Sequence, residues 1–328
     1  MQGTDNVKNN KRGLAVLEIN NNLASCFSGG EEQKMRNQNQ IKMKKSIVFV
    51  LALAFALSLS AQRSEVGLML GTSYYLGDLN YSTHFGLTQP AGGLIYRYNL
   101  NPRWAMKMNA LYGQVVGDDA SDVGENPQRN LSFKSHVLEF SAQMEHNFFR
   151  YFTGSKKSRF SPYIFGGVSI FSFNPKAEYD GEWYELQTLG TEGQGTTQYP
   201  ERKLYSLTQV SFPFGIGFKY SLSRSVCIGG EWGLRKTFTD YLDDVSTTYA
   251  DPDVLLAENT EIAMILADRR VQLDLDPFEE GVQRGDSKNK DWYSFAGLFL
   301  TFKIKGKGKG TCGDFQNQKS YKEYIYMR

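Results

Sequence analysis

Seven charged residues, Arg97, Lys107, Glu139, Glu145, Lys219, Glu231 and Arg235, sit at alternate positions in stretches whose intervening positions are large and apolar. In extended chain, alternate positions share one face. Four cations against three carboxylates are close to charge balance. Such a face could line a gated pore or binding site, or it could be a plug of mutual ion pairs, because charges held away from water need partners. Other chemistry is weakly represented. His84, His136 and His146 are far apart with no cysteine at ligand spacing, which is not a zinc pattern. Asp240, Asp243, Asp244, Asp251 and Asp253 gather in a way that could suit Ca²⁺, but the twelve-residue calcium loop with its glycine and terminal Glu is missing. The tripeptide Arg284-Gly285-Asp286 is common by chance, and the Gly/Lys run from Gly306 lacks phosphate-loop spacing. Neither a nucleophile–base order nor a paired-carboxylate context stands out, so no enzyme activity, metal or cofactor is expected.

The elements that position these charges alternate with period two, eight times over. The expected strands span about 65–76, 91–100, 103–116, 133–148, 160–173, 205–220, 225–237 and 291–304. In the sixth, Val210, Phe212, Phe214, Ile216 and Phe218 oppose Gln209, Ser211, Gly215, Gly217 and Lys219. The fifth is aromatic on both faces, so its register stays open. Connections alternate in length. Asn101-Pro102, about eleven residues, and 221–224 form one set; links of roughly 14, 15, 30 and 50 residues form the other. An even strand count with short turns at one end and long loops at the other is the asymmetry of an outer-membrane barrel. The longest link, 240–290, is expected to carry a helix over 253–269 and to fold over the extracellular mouth.

Export is written at 43–62: Lys42, Lys44 and Lys45, an apolar run over 47–57 too short to span a bilayer, and Ala61 before Gln62 at the expected cleavage point. Residues 1–42 read as a mis-called start or disordered leader, 43–61 as a signal peptide, 62–304 as the barrel and 305–328 as a basic periplasmic tail. Of 37 basic and 35 acidic residues, 8 and 4 precede Gln62, leaving 29 against 31 and a net charge of −2. A nucleic-acid partner therefore gains no support.

Alternation alone also fits a soluble lipocalin-like barrel, and the content of the two faces separates the readings. The polar face is rich in Gly, Ser and Gln with isolated charges, while the apolar face carries aromatics and Met, as a lipid-facing band requires. The expectation is an all-β, eight-stranded antiparallel transmembrane barrel, monomeric and in contact with outer-membrane lipid. Eight strands leave a lumen only wide enough for side chains, which favours the plug of ion pairs. Cys227, at the periplasmic start of the seventh strand, lies within reach of Cys312 beyond the eighth, so a disulfide and two free thiols both remain open.

Residues 233–246 (GLRKTFTDYLDDVS), 266–269 (LADR), 284–293 (RGDSKNKDWY) and 71–79 (GTSYYLGDL) resemble blocks of PorG-like outer-membrane barrels associated with type IX secretion and gliding. The resemblance covers the chain after the signal and departs at the leader and at the tail after Phe315. It implies an accessory outer-membrane component that docks a periplasmic ring of the PorK/PorN type, with no catalytic residues. Docking must use the short-turn side, where Arg150, Lys156, Lys157 and Arg159 and the 303–309 tail are basic. Those cations could meet an acidic partner or only lipid headgroups.

Overall fold

The computed structural model describes residues 63–121 and 126–304. Eight strands close a single antiparallel barrel: β1 (Ser64–Leu76), β2 (Gln89–Asn99), β3 (Trp104–Asp118), β4 (Ser132–Asn147), β5 (Phe160–Ser172), β8 (Thr208–Ser221), β9 (Val226–Thr237) and β10 (Trp292–Lys303). Each pairs with its sequence neighbour in the cylinder. β1 closes the ring on β10, from Glu65 opposite Lys303 to Leu76 opposite Trp292. Closure pairs every strand on both edges, which is what a sheet needs where no water can satisfy a free edge.

The period-two pattern sets the two faces. Along β4, Leu138, Phe140 and Met144 are exposed while Glu139, Gln143 and Glu145 are buried. The same holds for β8, where Val210, Phe212, Phe214, Ile216 and Phe218 face out and Ser211 and Lys219 face in. The outer wall is a continuous apolar surface: Leu70 is 71% exposed and Leu298 62%. The inner wall holds Arg97, Lys107, Lys219 and Arg235 at 0%. This is the inverse of a soluble barrel and the distribution that lipid demands. Among the described residues, no helix is long and apolar enough to cross a membrane.

The open register of the fifth strand resolves into Tyr163, Phe165 and Phe171 inside and Ile164, Val168 and Ile170 outside. Those inner rings need space, and glycine supplies it: a Cβ on Gly217 would lie 2.5 Å from the Tyr163 ring. Short connections at 100–103, 148–159 and 222–225 mark one end. The first is tied by Asn101, whose side-chain oxygen accepts the N–H groups of Arg103 (2.8 Å) and Trp104 (2.9 Å).

Two features of the long-loop end differ from the sequence expectation. The 173–207 link contains a further hairpin, β6 (Pro175–Tyr179) with β7 (Glu182–Glu185), turned at Asp180-Gly181 with both residues at positive φ. That Asp-Gly signal for a tight hairpin was legible. The helix expected over 253–269 is broken into an α-helical turn (Pro252–Val254), a π-helical turn (Leu255–Asn259), an α-helix (Glu261–Ala267) and a 3₁₀ turn (Arg270–Leu273). The break falls at Thr260, which is extended and whose hydroxyl accepts the Ala263 N–H at 3.0 Å. It is an N-cap inside the run, and Asn259 is diverted to the carbonyls of Leu189 and Gly190.

Candidate functional site

The seven expected charges do meet, inside the barrel, and an eighth completes them. Glu65, on the inner face of β1, brings the lumen to four cations and four carboxylates among the described barrel residues. Its signal was its phase: it sits two residues before Gly67, on the same face. Glu65 accepts from Arg97 Nη1 (3.2 Å), Asn99 (2.8 Å), Thr153 (2.5 Å) and Thr301 (2.9 Å). Glu145 is the hub, with Lys219 Nζ at 2.6 Å, Arg97 Nε at 3.0 Å and Lys107 Nζ at 3.6 Å. Lys107 also donates to Glu231 at 2.5 Å, and Tyr163 donates to the same oxygen at 2.7 Å. Higher up, Glu139 accepts from Arg235 Nε (3.0 Å) and Tyr293 (2.9 Å).

Each cation also faces an inward ring: Arg97 lies 4.9 Å from the centroid of Phe299, Lys107 4.2 Å from Phe165, Lys219 4.8 Å from Tyr163 and Arg235 4.9 Å from Phe295. Above them Phe173, Tyr205 and Tyr241 stack at 6.2 and 4.7 Å. The lumen is filled by paired charge and aromatic rings.

Over the lumen sits a cap made by the four long connections. Arg284, nearly fully buried, donates to Glu192 Oε1 (3.1 Å), the Asp244 carbonyl (2.6 Å) and the Ala267 carbonyl (3.1 Å). Glu192 also accepts the backbone N–H groups of Ser246 and Thr247 and the Thr247 hydroxyl. Arg129 pairs with Asp119 and donates to the carbonyls of Asp78 and Arg284 at 2.7 Å. Two buried arginines thus cross-link all four connections. The Arg-Gly-Asp tripeptide therefore has its arginine locked inside.

The expected aspartate gathering disperses within this cap. Asp244 meets Arg284, Tyr205 and Thr191, Asp240 meets Ser246, and Asp243 shares the Tyr75 hydroxyl (2.5 Å) with Asp291 (3.2 Å). Burial pushes Asp240 up to about 7 and Asp244 up to about 6, the latter opposed by Arg284. Burial and then neighbouring carboxylates raise Asp243 and Asp291 well above the usual range. An aspartate in unfolded chain titrates near ~3.9, so the folded cap binds these protons more tightly. The contribution of these aspartates to its stability is full below about pH 4 and is lost as pH rises through about 6 to 7. Hydrogen exchange over 240–250, corrected for intrinsic rates, should show weaker protection at pH above about 7 than at about 5. Asp240→Asn should flatten the upper part of that dependence.

The remaining expected sites are spread out. His84, His136 and His146 lie on the outer side against Tyr74, Tyr112 and Trp104. Among the described residues no group of three or more His, Cys, Asp or Glu is placed to hold a metal ion. Cys227 is fully buried on the inner face of β9, its thiol 3.7 Å from the Ile228 carbonyl. Cys312, Ala61, Gln62 and the 305–328 tail lie outside the described residues. Arg150, Lys156, Lys157 and Arg159 are all exposed and border one shallow cleft of about 500 Å³ with Phe149 and Phe160 at the short-turn end.

No characterised protein matches the sequence. Among solved structures the chain is similar to Ail, the attachment invasion locus protein of Yersinia pestis (10% identity, TM-score 0.34, covering 73% of this chain and 96% of that one). It is also similar to Neisserial surface protein A (8%, 0.37, 73% and 96%) and to OprG of Pseudomonas aeruginosa (12%, 0.32, 74% and 98%). A family model described as a domain of unknown function, DUF6089, matches residues 44–255, well over half of the sequence. The barrel with its charge-paired lumen and arginine-tied cap is therefore a member of the DUF6089 family.

Proposed function

We propose that this barrel resides in the outer membrane and acts there without catalysis, as an accessory anchor of a type IX secretion assembly, docking a periplasmic ring of the PorK/PorN type. The observation that carries this reading is a contrast between two sets of cations. Every lumen Arg and Lys has a carboxylate within 4 Å, whereas Arg150, Lys156, Lys157 and Arg159 have no such partner among the described residues. Four unpaired cations beside exposed Phe149 and Phe160, at the end where the turns are short, present a charged and apolar patch to the periplasm. Its complement is an acidic protein surface.

Reversing charge at Lys156, Lys157 and Arg159 should cut co-purification of ring proteins about tenfold or more at physiological salt, with the barrel still folded. Unchanged co-purification would reject the turn as the docking surface. An alternative is a small transport or adhesion barrel. The filled lumen argues against transport, and planar-bilayer recordings should show no steps above background. Adhesion draws support from an apolar cavity of about 280 Å³ in the cap, lined by Leu255, Met264, Phe278 and the buried Tyr249.

A further inference from the structure

At the other end of the barrel, the rim between β9 and β10 gathers three lysines around one tryptophan. Lys236 is the last outward-facing residue of β9, where the outward positions below it are apolar or glycine: Leu234, Trp232, Gly230 and Ile228. Opposite it on β10 stands Trp292, with the Lys236 ammonium 5.5 Å from its ring and the Phe214 ring edge-on at 5.9 Å. The last connection brings Lys288 and Lys290 over the same spot. Together with Tyr81 and Leu234, these residues line a pocket of about 480 Å³. None of the three lysines has an ion-pair partner among the described residues; Lys290 donates only to the Ser287 carbonyl, at 2.8 Å. Asp78 also borders the pocket, but its oxygens accept the Tyr81 hydroxyl (2.9 Å) and the Asp286 N–H (3.0 Å).

A second feature lies lower, on β1, β10, β9, β8 and β5, and reaches Phe148 and Pro162 near the short-turn end. A groove of about 890 Å³ runs down the outer wall where Ala296 and Gly230 stand among large neighbours, flanked by Leu70, Ile216, Trp232 and Leu298. The register fixes its relation to the pocket. Thr72, Ala296 and Trp232 are cross-strand partners, and four residues nearer the rim so are Leu76, Trp292 and Lys236. Between the two levels, His84 and Phe85 of the first connection pack on Tyr74 and Trp232, with Phe85 half exposed. The wall is thus apolar from groove to pocket and cationic at the top.

We infer that this face holds one phosphate-bearing lipid of the outer leaflet, its phosphate among Lys236, Lys288 and Lys290 and an acyl chain in the groove below. The charge complement is direct: three unpaired ammonium groups at headgroup depth call for a dianionic or doubly phosphorylated headgroup. The groove distinguishes a lipid from a free anion, which would have no use for it. The inference rests on the membrane-barrel reading but not on the docking of a periplasmic ring.

The test uses the full protein in nanodiscs of phosphatidylcholine doped with bis-phosphorylated lipid A or with the same lipid A stripped of phosphate. Lipids retained on release from the disc are counted by native mass spectrometry. The wild type should retain the phosphorylated lipid and not the stripped form. A triple variant, Lys236→Gln, Lys288→Gln, Lys290→Gln, should retain it at least about tenfold less, since each such lysine contributes several-fold in affinity. Gly230→Leu, which fills the groove, should also release it. Lys203→Gln, at an exposed lysine of the 173–207 connection outside the pocket, should change nothing. Equal retention by the triple variant, equal retention of the stripped lipid, or displacement by inorganic phosphate alone would overturn the inference. Heat-dependent gel mobility of every variant reports barrel folding separately, so failure of the barrel reading and failure of the pocket are distinguishable.

Discussion

Replacing Glu145 with Gln is expected to be the most damaging single change in the barrel, costing about 3–5 kcal/mol of stability. Glu145 is shared by Arg97, Lys107 and Lys219, all fully buried, and Gln would leave three cations answered by Glu65 and Glu231 alone. The outer wall cannot rescue them, because a displaced ammonium would emerge into lipid. The cost should appear as a lowered urea midpoint for the loss of heat-resistant gel mobility. The upper pair gives an internal control. Glu139→Met alone strands Arg235, whereas Glu139→Met with Arg235→Met removes both charges, since Arg235 has no other carboxylate within ion-pair distance among the described residues. The double variant should therefore be more stable than the single one. The reverse order would mean that the lumen charges are not held by one another.

The second large effect is local. Arg284→Leu should open the cap and leave the barrel standing. Its guanidinium reaches Glu192, Asp244 and two backbone carbonyls, and its own carbonyl accepts from Arg129. Losing it abandons two buried carboxylates where burial already raises Asp244 to about 6. A local cost of about 3–5 kcal/mol follows. Limited proteolysis should then cut within 240–290 at least about a hundredfold faster, as such a cost implies for an opening equilibrium. The heat-shifted mobility of the barrel should persist. If barrel and cap melted together instead, the cap would be part of one cooperative unit with the wall.

The wall was the most legible part of the sequence. Alternation such as Val210-Ser211-Phe212 assigns a face to each residue without knowledge of its neighbours, so strand existence, turn order and seven of the lumen charges could be read directly. Glu65 was passed over because it opens its strand before the alternation is established. Both faces of β5 and β10 are aromatic, so period two cannot assign them; only closure decides that Tyr163, Phe165, Phe295 and Phe299 line the lumen. The cap was illegible for a different reason. Arg284 reads as one surface arginine in a polar loop, and its partners Glu192, Asp244 and Ala267 come from 92, 40 and 17 residues away. The broken helix belongs to the same class: its apolar spacing is real, but Asn259 and Thr260 spend their side chains on caps and on the 173–207 connection.

The central claim is that the apolar face of these eight strands meets lipid while the charged face is enclosed. Spin labels placed one at a time along β8, from Val210 to Tyr220, test it by collisional accessibility to oxygen and to a water-soluble nickel chelate in reconstituted membranes. Labels at 210, 212, 214, 216 and 218 should be open to oxygen and closed to nickel, alternating with labels at 211, 215, 217 and 219 that neither reagent reaches. Nickel access at the first set, or accessibility without a period of two, would contradict the account.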